Sequence, residues 1–283
     1  MKPAALGVDD RIVPELAELA QPRAQPFRWA DRPRLVGAVS VVAVLLLWEA
    51  VGRRVNPLFF SYPWGIVAAA VEVLPSAEFL RQAWGSLSAF GVGLAAAVVG
   101  GILIGLLMGR YRLAEYLLDP YVYALDATPR VALIPLLLLW FGLGTSAKIV
   151  VVFLSGFFPV LMNTFSGVRT VGAELVDIGR AYGAREGQSF TKIMVPAALP
   201  FIMTGIRLGV GRALIGIIVA EMFTAVTGLG GLLTRYASAL TAASTAKFFV
   251  PVIVLALLGV LLSWAAGALQ RRLAPWKETE RAT

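Results

Sequence analysis

The sequence predicts an all-α, polytopic membrane protein with six transmembrane helices. Apolar residues make up 58% of the 283 residues, and the mean hydropathy is +0.78. Only 15% of the residues are charged, whereas a soluble globular domain carries about 25%. The apolar residues also gather into stretches close to the roughly 20 residues that cross the hydrocarbon core of a bilayer. Together these observations exclude an ordinary soluble domain.

Several kinds of functional site are excluded because the sequence lacks the residue types that form them. The chain has no cysteine and no histidine, so disulfides, thiolate nucleophiles, imidazole bases and the usual zinc ligands are excluded. The net charge of +8 is typical of a membrane protein whose cytoplasmic loops retain lysine and arginine. Since no nucleic-acid recognition motif is present, nucleic acid is not expected as a partner.

Six apolar stretches follow a polar N-terminal segment. Residues 1–34 are rich in proline and are predicted to be a cytoplasmic tail. Residues 35–269 form the predicted transmembrane domain, and residues 270–283 form a second, basic cytoplasmic tail. The predicted spans are residues 35–51, 85–108, 117–142, 147–167, 202–226 and 248–269, with a short helix at 64–74.

The second span presents one face of small residues. It holds no charged residue from Gly85 to Met108. Helices in lipid use small residues on one face to approach each other closely. We therefore predict a packing surface at every fourth residue, formed by Gly93, Ala97, Gly101, Gly105 and Gly109.

The third span cannot be a plain lipid-facing helix, because it contains Asp119, Asp126 and Arg130 together with three prolines. Prolines free backbone groups that the helix bundle must satisfy. Charged groups inside a span usually face a cavity or one another. This span is therefore predicted to line a wet space.

The distribution of basic residues predicts the orientation. Six spans put both termini on the same side of the membrane. If that side is the cytoplasm, most of the lysines and arginines lie in cytoplasmic segments, as the positive-inside rule requires. The rule also places the polar segment 174–200 in the cytoplasm.

The segment 174–200 carries a spaced motif. Asp177-Ile178-Gly179 is followed after three residues by Gly183, and after nine more by Ile193-Met194-Val195-Pro196. This spacing resembles a cytoplasmic motif of the inner-membrane permease subunits of ABC importers, which reads Glu-Ala-Ala, three residues, Gly, nine residues, Ile-x-Leu-Pro. The similarity to the sulfonate, nitrate and taurine branch extends through IPLLLLWFGLGTSAK at 134–148, FFPVLMNTFSGV at 157–168, PAALPFIMTGIRLG at 196–209, AEM at 220–222 and GLGGLL at 228–233.

The first part of the motif departs from the family pattern. Asp177 replaces Glu, and Ile178-Gly179 replaces Ala-Ala. The glycine lowers helix propensity by about 1 kcal/mol, which packing against a partner can outweigh. Residues 174–182 can still form a short helix, Gly183 permits a turn, and Pro196 is predicted to start the next element.

The resemblance implies a type I ABC importer permease fold, in a multi-pass protein of the bacterial inner membrane with both termini cytoplasmic. The implied partners are two cytoplasmic ATPase subunits, an extracytoplasmic substrate-binding protein, a second copy of the chain and membrane lipid. ATP and Mg would be bound by the ATPase, and no cofactor or metal is expected in this chain. The residues implied to couple the chain to the ATPase are Asp177, Ile178, Gly179, Arg180, Gly183, Ile193 and Pro196.

The chain is not expected to be an enzyme. ATP hydrolysis needs a phosphate-cradling loop of the form G-x-x-x-x-G-K-[ST], which the sequence lacks. GLGTSAK at 142–148 has no second glycine directly before its lysine and is predicted to be a tight turn between helices. ATP hydrolysis is therefore assigned to a separate subunit.

Polar residues inside the spans are the candidates for a translocation path. The resemblance implies that the cargo is a small solute, an organic or inorganic anion such as a sulfonate, taurine or nitrate. Asp126 and Arg130 are spaced i, i+4, so they can neutralise each other as readily as line a path. Glu221 shares a face with Gly205 and Gly209, so a structural role between helices is an equal alternative. The candidates are Asp126, Arg130, Arg207, Arg212 and Glu221.

Three other functions are alternatives to the importer. An ion-coupled secondary transporter often shows an internal repeat with matching broken helices, and none is recognisable in this sequence. Subunits of exporting or membrane-remodelling complexes often carry fused ATPase or large outer domains. A membrane scaffold would leave the charges of the third span unexplained.

Overall fold

The computed structural model describes residues 33–224 and 227–273, and every regular element within these ranges is a helix. The all-α fold class is thereby confirmed. Most of both predicted tails, residues 1–32 and 274–283, lies outside the described residues. The helices are α1 (Pro33–Gly52), α2 (Pro63–Val73), α3 (Ala77–Arg110), α4 (Arg112–Ala127), α5 (Arg130–Phe141), α6 (Thr145–Arg169), α7 (Ala173–Ala181), α8 (Glu186–Ser189), α9 (Val195–Thr224), α10 (Leu229–Ser238) and α11 (Ala242–Leu273), with a π-helical turn (Phe190–Met194) between α8 and α9.

Within the part of the chain that the structure describes, five helical stretches are long and apolar enough to cross a membrane. They are α1, α3, α6, the continuous stretch Glu186–Thr224, and α11. The bent pair of α4 and α5 adds a sixth if it counts as one span. This agrees with the six spans predicted from the sequence.

The chain divides into two compact units, Met1–Ala50 and Val51–Thr283. Within the first unit the structure describes α1 up to Ala50, which holds no charged residue between Arg34 and Glu49. The core and the candidate sites described below belong to the second unit.

The small-residue face of α3 lies against α6. A Cβ atom added to Gly93 would lie 2.7 Å from Val152 Cβ, and one added to Gly101 would lie 2.9 Å from Val160 Cβ. Two helical turns after Gly101, a Cβ on Gly109 would lie 2.6 Å from Val168 Cβ. The two backbones therefore approach more closely than any residue with a side chain would allow.

Glycines bring α9 equally close to α6. A Cβ on Gly209 would lie 3.0 Å from the carbonyl oxygen of Gly156, and one on Gly205 would lie 2.8 Å from Asn163 Cβ. Buried residues of α3, α6 and α9, among them Phe90, Val152 and Ile217, form one apolar cluster. These three helices are thus the core that positions the polar sites.

The third span is broken rather than continuous. α4 and α5 meet at an angle of 97°. Thr128 has extended backbone angles, and Pro129, which follows it, has no N–H to continue the hydrogen-bond ladder. Thr128 Oγ1 donates to the carbonyl oxygen of Ala124 at 2.8 Å, which satisfies one of the freed acceptors. The break exposes polar groups within the span.

Pro196 is the second residue of α9, as predicted, but α9 continues an existing helical stretch. The helical stretch begins ten residues earlier, at Glu186, and runs to Thr224. The turn before the proline is π-helical, so that the N–H of Val195 donates to the carbonyl oxygen of Phe190, five residues back. This wider turn absorbs the register change next to Pro196, whose ring and missing N–H disfavour the interior of a regular helix.

Candidate functional site

A cavity of about 420 Å³ lies where the third span breaks. The end of α4, the break and the start of α5 form one wall, and α6 and α9 form the other. Gly216 of α9 is close to α6, because a Cβ there would lie 2.5 Å from Ser155 Oγ. The lining residues that bear on function are Asp126, Thr128, Arg130, Ser155, Arg212 and Gly216.

Asp126 and Arg130 form an ion pair across the break. Arg130 Nη2 donates to the Asp126 carboxylate and, at 3.2 Å, also to the Asp126 carbonyl oxygen. The guanidinium lies over the ring of Phe158, 4.8 Å from its centroid. Arg130 Nε is buried and has no hydrogen-bond acceptor among the described residues. The pair therefore caps the end of α4 and fixes the Arg130 side chain at the cavity wall.

Arg212 brings a second cation to the same cavity. Its side chain is exposed, and no carboxylate of the described residues pairs with it. Two arginines against one aspartate leave one positive charge uncompensated in this cavity. The arrangement suits the binding of an anion.

Arg207, another candidate of the path, lies apart from the cavity. Its Nη2 donates to Gln270 Oε1 of α11 at 3.1 Å. A Cβ on Gly267 would lie 3.1 Å from the same nitrogen. Arg207 thus joins α9 to the end of α11.

Glu221 is also remote from the cavity, in a buried polar cluster at the end of α9. Its side chain is 1% exposed. Ser86 Oγ lies 2.7 Å and 2.9 Å from its two carboxylate oxygens, and Lys148 Nζ donates to one of them at 3.0 Å. The backbone N–H of Gly230 donates to the other at 2.9 Å. The carboxylate is therefore fully engaged with the protein.

The glycine-rich loop after α9 is shaped around this carboxylate. Gly228 has a φ of +89°, and a Cβ there would lie 1.9 Å from Glu221 Oε1. The N–H of Gly228 donates to Gln82 Oε1 at 2.6 Å, and Lys148 Nζ donates to Thr227 Oγ1 at 2.9 Å. We define the carboxylate clamp as Gln82, Ser86, Lys148, Glu221, Thr227, Gly228 and Gly230.

The sequence did not predict the partners of Glu221 in the carboxylate clamp. The sequence places Lys148 at the end of a predicted turn, whereas in the structure it lies in α6 and its side chain is only 4% exposed. Its partner is 73 residues away in the sequence. The one local signal was the pair of glycines at 228 and 230, which leave room for a side chain from another element.

The segment between α6 and α9 forms the short helix that the sequence predicts. α7 spans Ala173–Ala181, and Gly183 follows with a φ of +80°, which closes the turn. Apolar side chains of Leu175, Ile178 and Tyr182 are exposed on one side of this segment, and Tyr182 is 90% exposed. Asp177 pairs with Arg180 at 3.5 Å, and both side chains are exposed.

Gly179 has a packing role inside this segment. A Cβ there would lie 2.5 Å from Ile193 Cδ1, so the glycine lets α7 rest on the π-helical turn. A residue with a side chain at this position would require the end of the Ile193 side chain to move. Ile193 is half-buried, and Pro196 lies in the first turn of α9.

One ion pair ties this segment to α3, and a neighbouring pair joins α4 to the end of α6. Arg110 at the end of α3 donates to Glu186 at 3.1 Å, and its guanidinium lies 5.5 Å from the ring centroid of Phe190. Arg169 at the end of α6 donates to Glu115 at 2.8 Å. A displacement of α7 and α8 would therefore reach α3 directly.

Sequence reasoning missed Leu175 and Tyr182 as members of the exposed apolar surface. Their spacing with Ile178, at i, i+3 and i+7, places all three on one side of a helix. The helical periodicity of the apolar residues therefore indicates this surface, whereas the spaced motif does not contain Leu175 or Tyr182.

The chain is similar to transport proteins along most of its length. A family model described as the binding-protein-dependent transport system inner membrane component matches residues 97–275. The chain is 32% identical over 245 residues to a putative aliphatic sulfonates transport permease protein of Bacillus subtilis (strain 168), covering 86% of this chain and 88% of that protein. It is 31% identical over 258 residues to the taurine transport system permease protein of Escherichia coli (strain K12), covering 88% and 93%.

A further relative and two solved structures extend the comparison. The formylaminopyrimidine transport permease protein of Halalkalibacterium halodurans is 32% identical over 238 residues, which cover 84% of this chain and 94% of that protein. An inward-facing structure of the MetNI methionine ABC transporter matches 69% of this chain with a TM-score of 0.53 at 21% identity, over 95% of that chain. An amino acid ABC transporter matches 74% of this chain with a TM-score of 0.53 at 15% identity, over 97% of that chain. At these identities the structures show the fold alone.

Proposed function

The chain belongs to the family of binding-protein-dependent transport system inner membrane components and is a permease subunit of an ABC importer, and we propose that its cargo is a small anion. The observation that carries this proposal is the uncompensated charge of Arg212 in a cavity of about 420 Å³. The size suits a small solute rather than a peptide. Because the chain belongs to this family, the importer is favoured over the ion-coupled secondary transporter that the sequence left as an alternative.

The names of the relatives suggest which anions to test. They are named for aliphatic sulfonates, taurine and formylaminopyrimidine. Sulfonates and taurine carry the negative charge that Arg212 would attract, and nitrate shares that charge in a smaller ion. We propose a sulfonate, taurine or nitrate as the cargo of this chain.

A second copy of the chain is proposed to cover the face of α9 that carries Arg212. Leu208 and Ile215 are exposed on the same helix, and the charged side chain lies exposed between them. A charged group facing lipid within a span is costly, so such groups face a protein or a wet cavity. A homodimer, the commonest assembly of soluble oligomers, would remove this guanidinium from lipid.

The exposed apolar surface of α7, formed by Leu175, Ile178 and Tyr182, is proposed to dock on a cytoplasmic ATPase. The family implies an ATPase and a substrate-binding protein as partners. Two ATPases would bind ATP and Mg and drive alternating access, since this sequence contains no phosphate-cradling loop. Motion would pass from α7 through the Gly179–Ile193 contact and the Arg110–Glu186 pair to the core helices.

The topology that fits this proposal places both termini and α7 in the cytoplasm of a cell with an inner membrane. The positive-inside rule supports it. The tails proposed for residues 1–34 and 270–283 would then flank a transmembrane domain of residues 35–269. Membrane lipid would surround the remaining apolar faces.

Affinity purification of the full chain from its native membrane tests the docking surface. The double variant Ile178→Ser with Tyr182→Ser removes two exposed apolar side chains without touching the core. We expect the ATPase to co-purify with the wild type and to be reduced by about tenfold or more with the variant, which corresponds to about 1.4 kcal/mol of lost binding. Glu174→Gln, an exposed change on the same helix, is the matched control. Equal recovery of the ATPase with all three proteins would refute the proposed surface.

A further inference from the structure

We infer that Asp126 sets the charge selectivity of the cavity, so that singly charged anions are preferred to doubly charged ones. The inference rests on the proposed function, because it assumes that an anion enters this cavity. It adds a specificity-determining residue and a valence to the cargo. Asp126 is the residue to which the sequence assigned either a neutralising or a path-lining role, and the inference unites the two.

The contacts of Arg130 separate it from Arg212. Its guanidinium already holds the Asp126 carboxylate and carbonyl oxygen and lies on the ring of Phe158. A cargo anion therefore meets one arginine whose charge is already balanced. Arg212, which has no carboxylate partner among the described residues, is left as the cation that the cargo can neutralise.

The charge balance then favours one negative charge on the cargo. A monoanion at Arg212 makes the cavity neutral. A dianion would leave one negative charge unbalanced, and uncompensated charge is strongly disfavoured away from water. In a homodimer each copy would carry its own Asp126 and Arg130, so the balance in each chain's cavity stays the same.

Removing the Asp126 charge should shift this balance in a defined direction. Asp126→Asn frees the charge of Arg130 and keeps the size of the side chain. One unit charge at about 10 Å, acting through an effective dielectric constant of about 20, changes the affinity for an anion by about tenfold per anion charge. The variant should therefore gain more for sulfate than for nitrate.

The absence of cysteine from the sequence makes a direct test simple. Ala127→Cys places one thiol at an exposed position of the cavity wall. The thiol is labelled in the full chain, in permeabilised native membranes that keep its partners. The reagents are an anionic sulfonatoethyl and a cationic trimethylammonioethyl methanethiosulfonate, and nitrate and sulfate are tested as protecting ions at matched ionic strength.

We expect the ratio of anionic to cationic labelling rates to be higher at this thiol than at the exposed control thiol of Ala181→Cys, and nitrate to protect at lower concentration than sulfate. Asp126→Asn should raise the ratio of anionic to cationic labelling rates by about tenfold, by the same charge argument, and should move protection towards sulfate. Arg130→Gln should lower that ratio. The double variant Asp126→Asn with Arg130→Gln removes a neutral pair and should return both readings to within about twofold of the parent. Ala181→Cys, an exposed thiol on α7, is the control whose labelling should not change.

The outcomes separate the inference from the proposed function. A ratio of anionic to cationic labelling rates in the parent no higher than that of Ala181→Cys, without protection by either anion, would overturn the anion cargo. Protection by nitrate that Asp126→Asn leaves unchanged would overturn the role of Asp126 alone. A double variant that behaves like Asp126→Asn would show that Asp126 does not act through Arg130, and would also overturn the inference. If Asp126→Asn fails to fold, the opposite shift expected from Arg130→Gln still decides.

Discussion

Replacing Lys148 with methionine tests whether the carboxylate clamp depends on its ion pair. The Lys148 and Glu221 side chains are 4% and 1% exposed, and their charged atoms lie 3.0 Å apart. Lys148→Met keeps an unbranched side chain of similar length but removes the charge. Glu221 would then keep only the donors of Ser86 and Gly230, and its negative charge would be buried without a counter-ion.

Breaking a buried pair in this way costs about 3–5 kcal/mol, because the remaining charge is left uncompensated. Little of this is lost to solvent screening, because both groups are nearly inaccessible. The double variant Lys148→Met with Glu221→Gln removes both charges and keeps an oxygen for Ser86 and Gly230. We expect it to recover most of the stability, since replacing a whole buried pair is often close to neutral.

The free energy of unfolding is measured by SDS titration in mixed micelles, followed by tryptophan fluorescence. Lys247→Met is the matched control, because Lys247 pairs with Glu72 at the surface, where the side chains are 26% and 67% exposed. An exposed pair of this kind is worth about 0–1 kcal/mol. A loss below about 1 kcal/mol for Lys148→Met, or a double variant no more stable than Lys148→Met, would refute the reasoning.

Two further predictions concern glycines with matched controls. Gly105→Val should destabilise the chain by about 1–3 kcal/mol through overpacking, since its Cβ would lie 2.7 Å from Leu161 O and from Thr164 Cβ. Gly91→Val, on the same helix with nothing within 4 Å of the added Cβ, should not destabilise it. Equal losses in an unfolding titration would contradict the close packing of α3 and α6. Gly183→Val should reduce ATP-driven uptake more than Gly183→Asn, because the φ of +80° strains a β-branched residue by about 1–2 kcal/mol and asparagine less. Equal uptake by the two variants at equal expression would argue against a role for this turn in coupling.

The sequence predicted most of the helices because their signals are local. Apolar runs of spanning length gave the bounds of α3 and α6 to within a few residues at their C-terminal ends. The four-residue repeat of small residues on α3 predicted a packing face, although it did not identify α6 as the helix it meets. The spaced motif predicted α7 and the turn at Gly183, because a short helix and a left-handed turn depend on neighbouring residues.

The candidate sites were harder to predict because they join distant parts of the chain. In the sequence, five polar residues inside the spans are candidates for one translocation path. The structure brings Asp126, Arg130 and Arg212 to one cavity, leaves Arg207 beside α11, and buries Glu221 in the carboxylate clamp. Nothing local to Glu221 indicates that its counter-ion is Lys148, since the choice depends on which helices meet.

The sequence by itself determined an all-helical membrane protein, its family and the segment proposed to meet an ATPase, because hydropathy, small-residue repeats and motif spacing act over a few turns of one helix. Only the tertiary structure decided that the third span breaks at Pro129, that the helix before α9 begins at Glu186, and which charges are compensated. A charged group is stable within a membrane span only if a distant residue or a wet cavity receives it. That partner is fixed when the helices pack, so the packed structure alone distinguishes Arg212, which has no carboxylate partner among the described residues, from Lys148, which is paired.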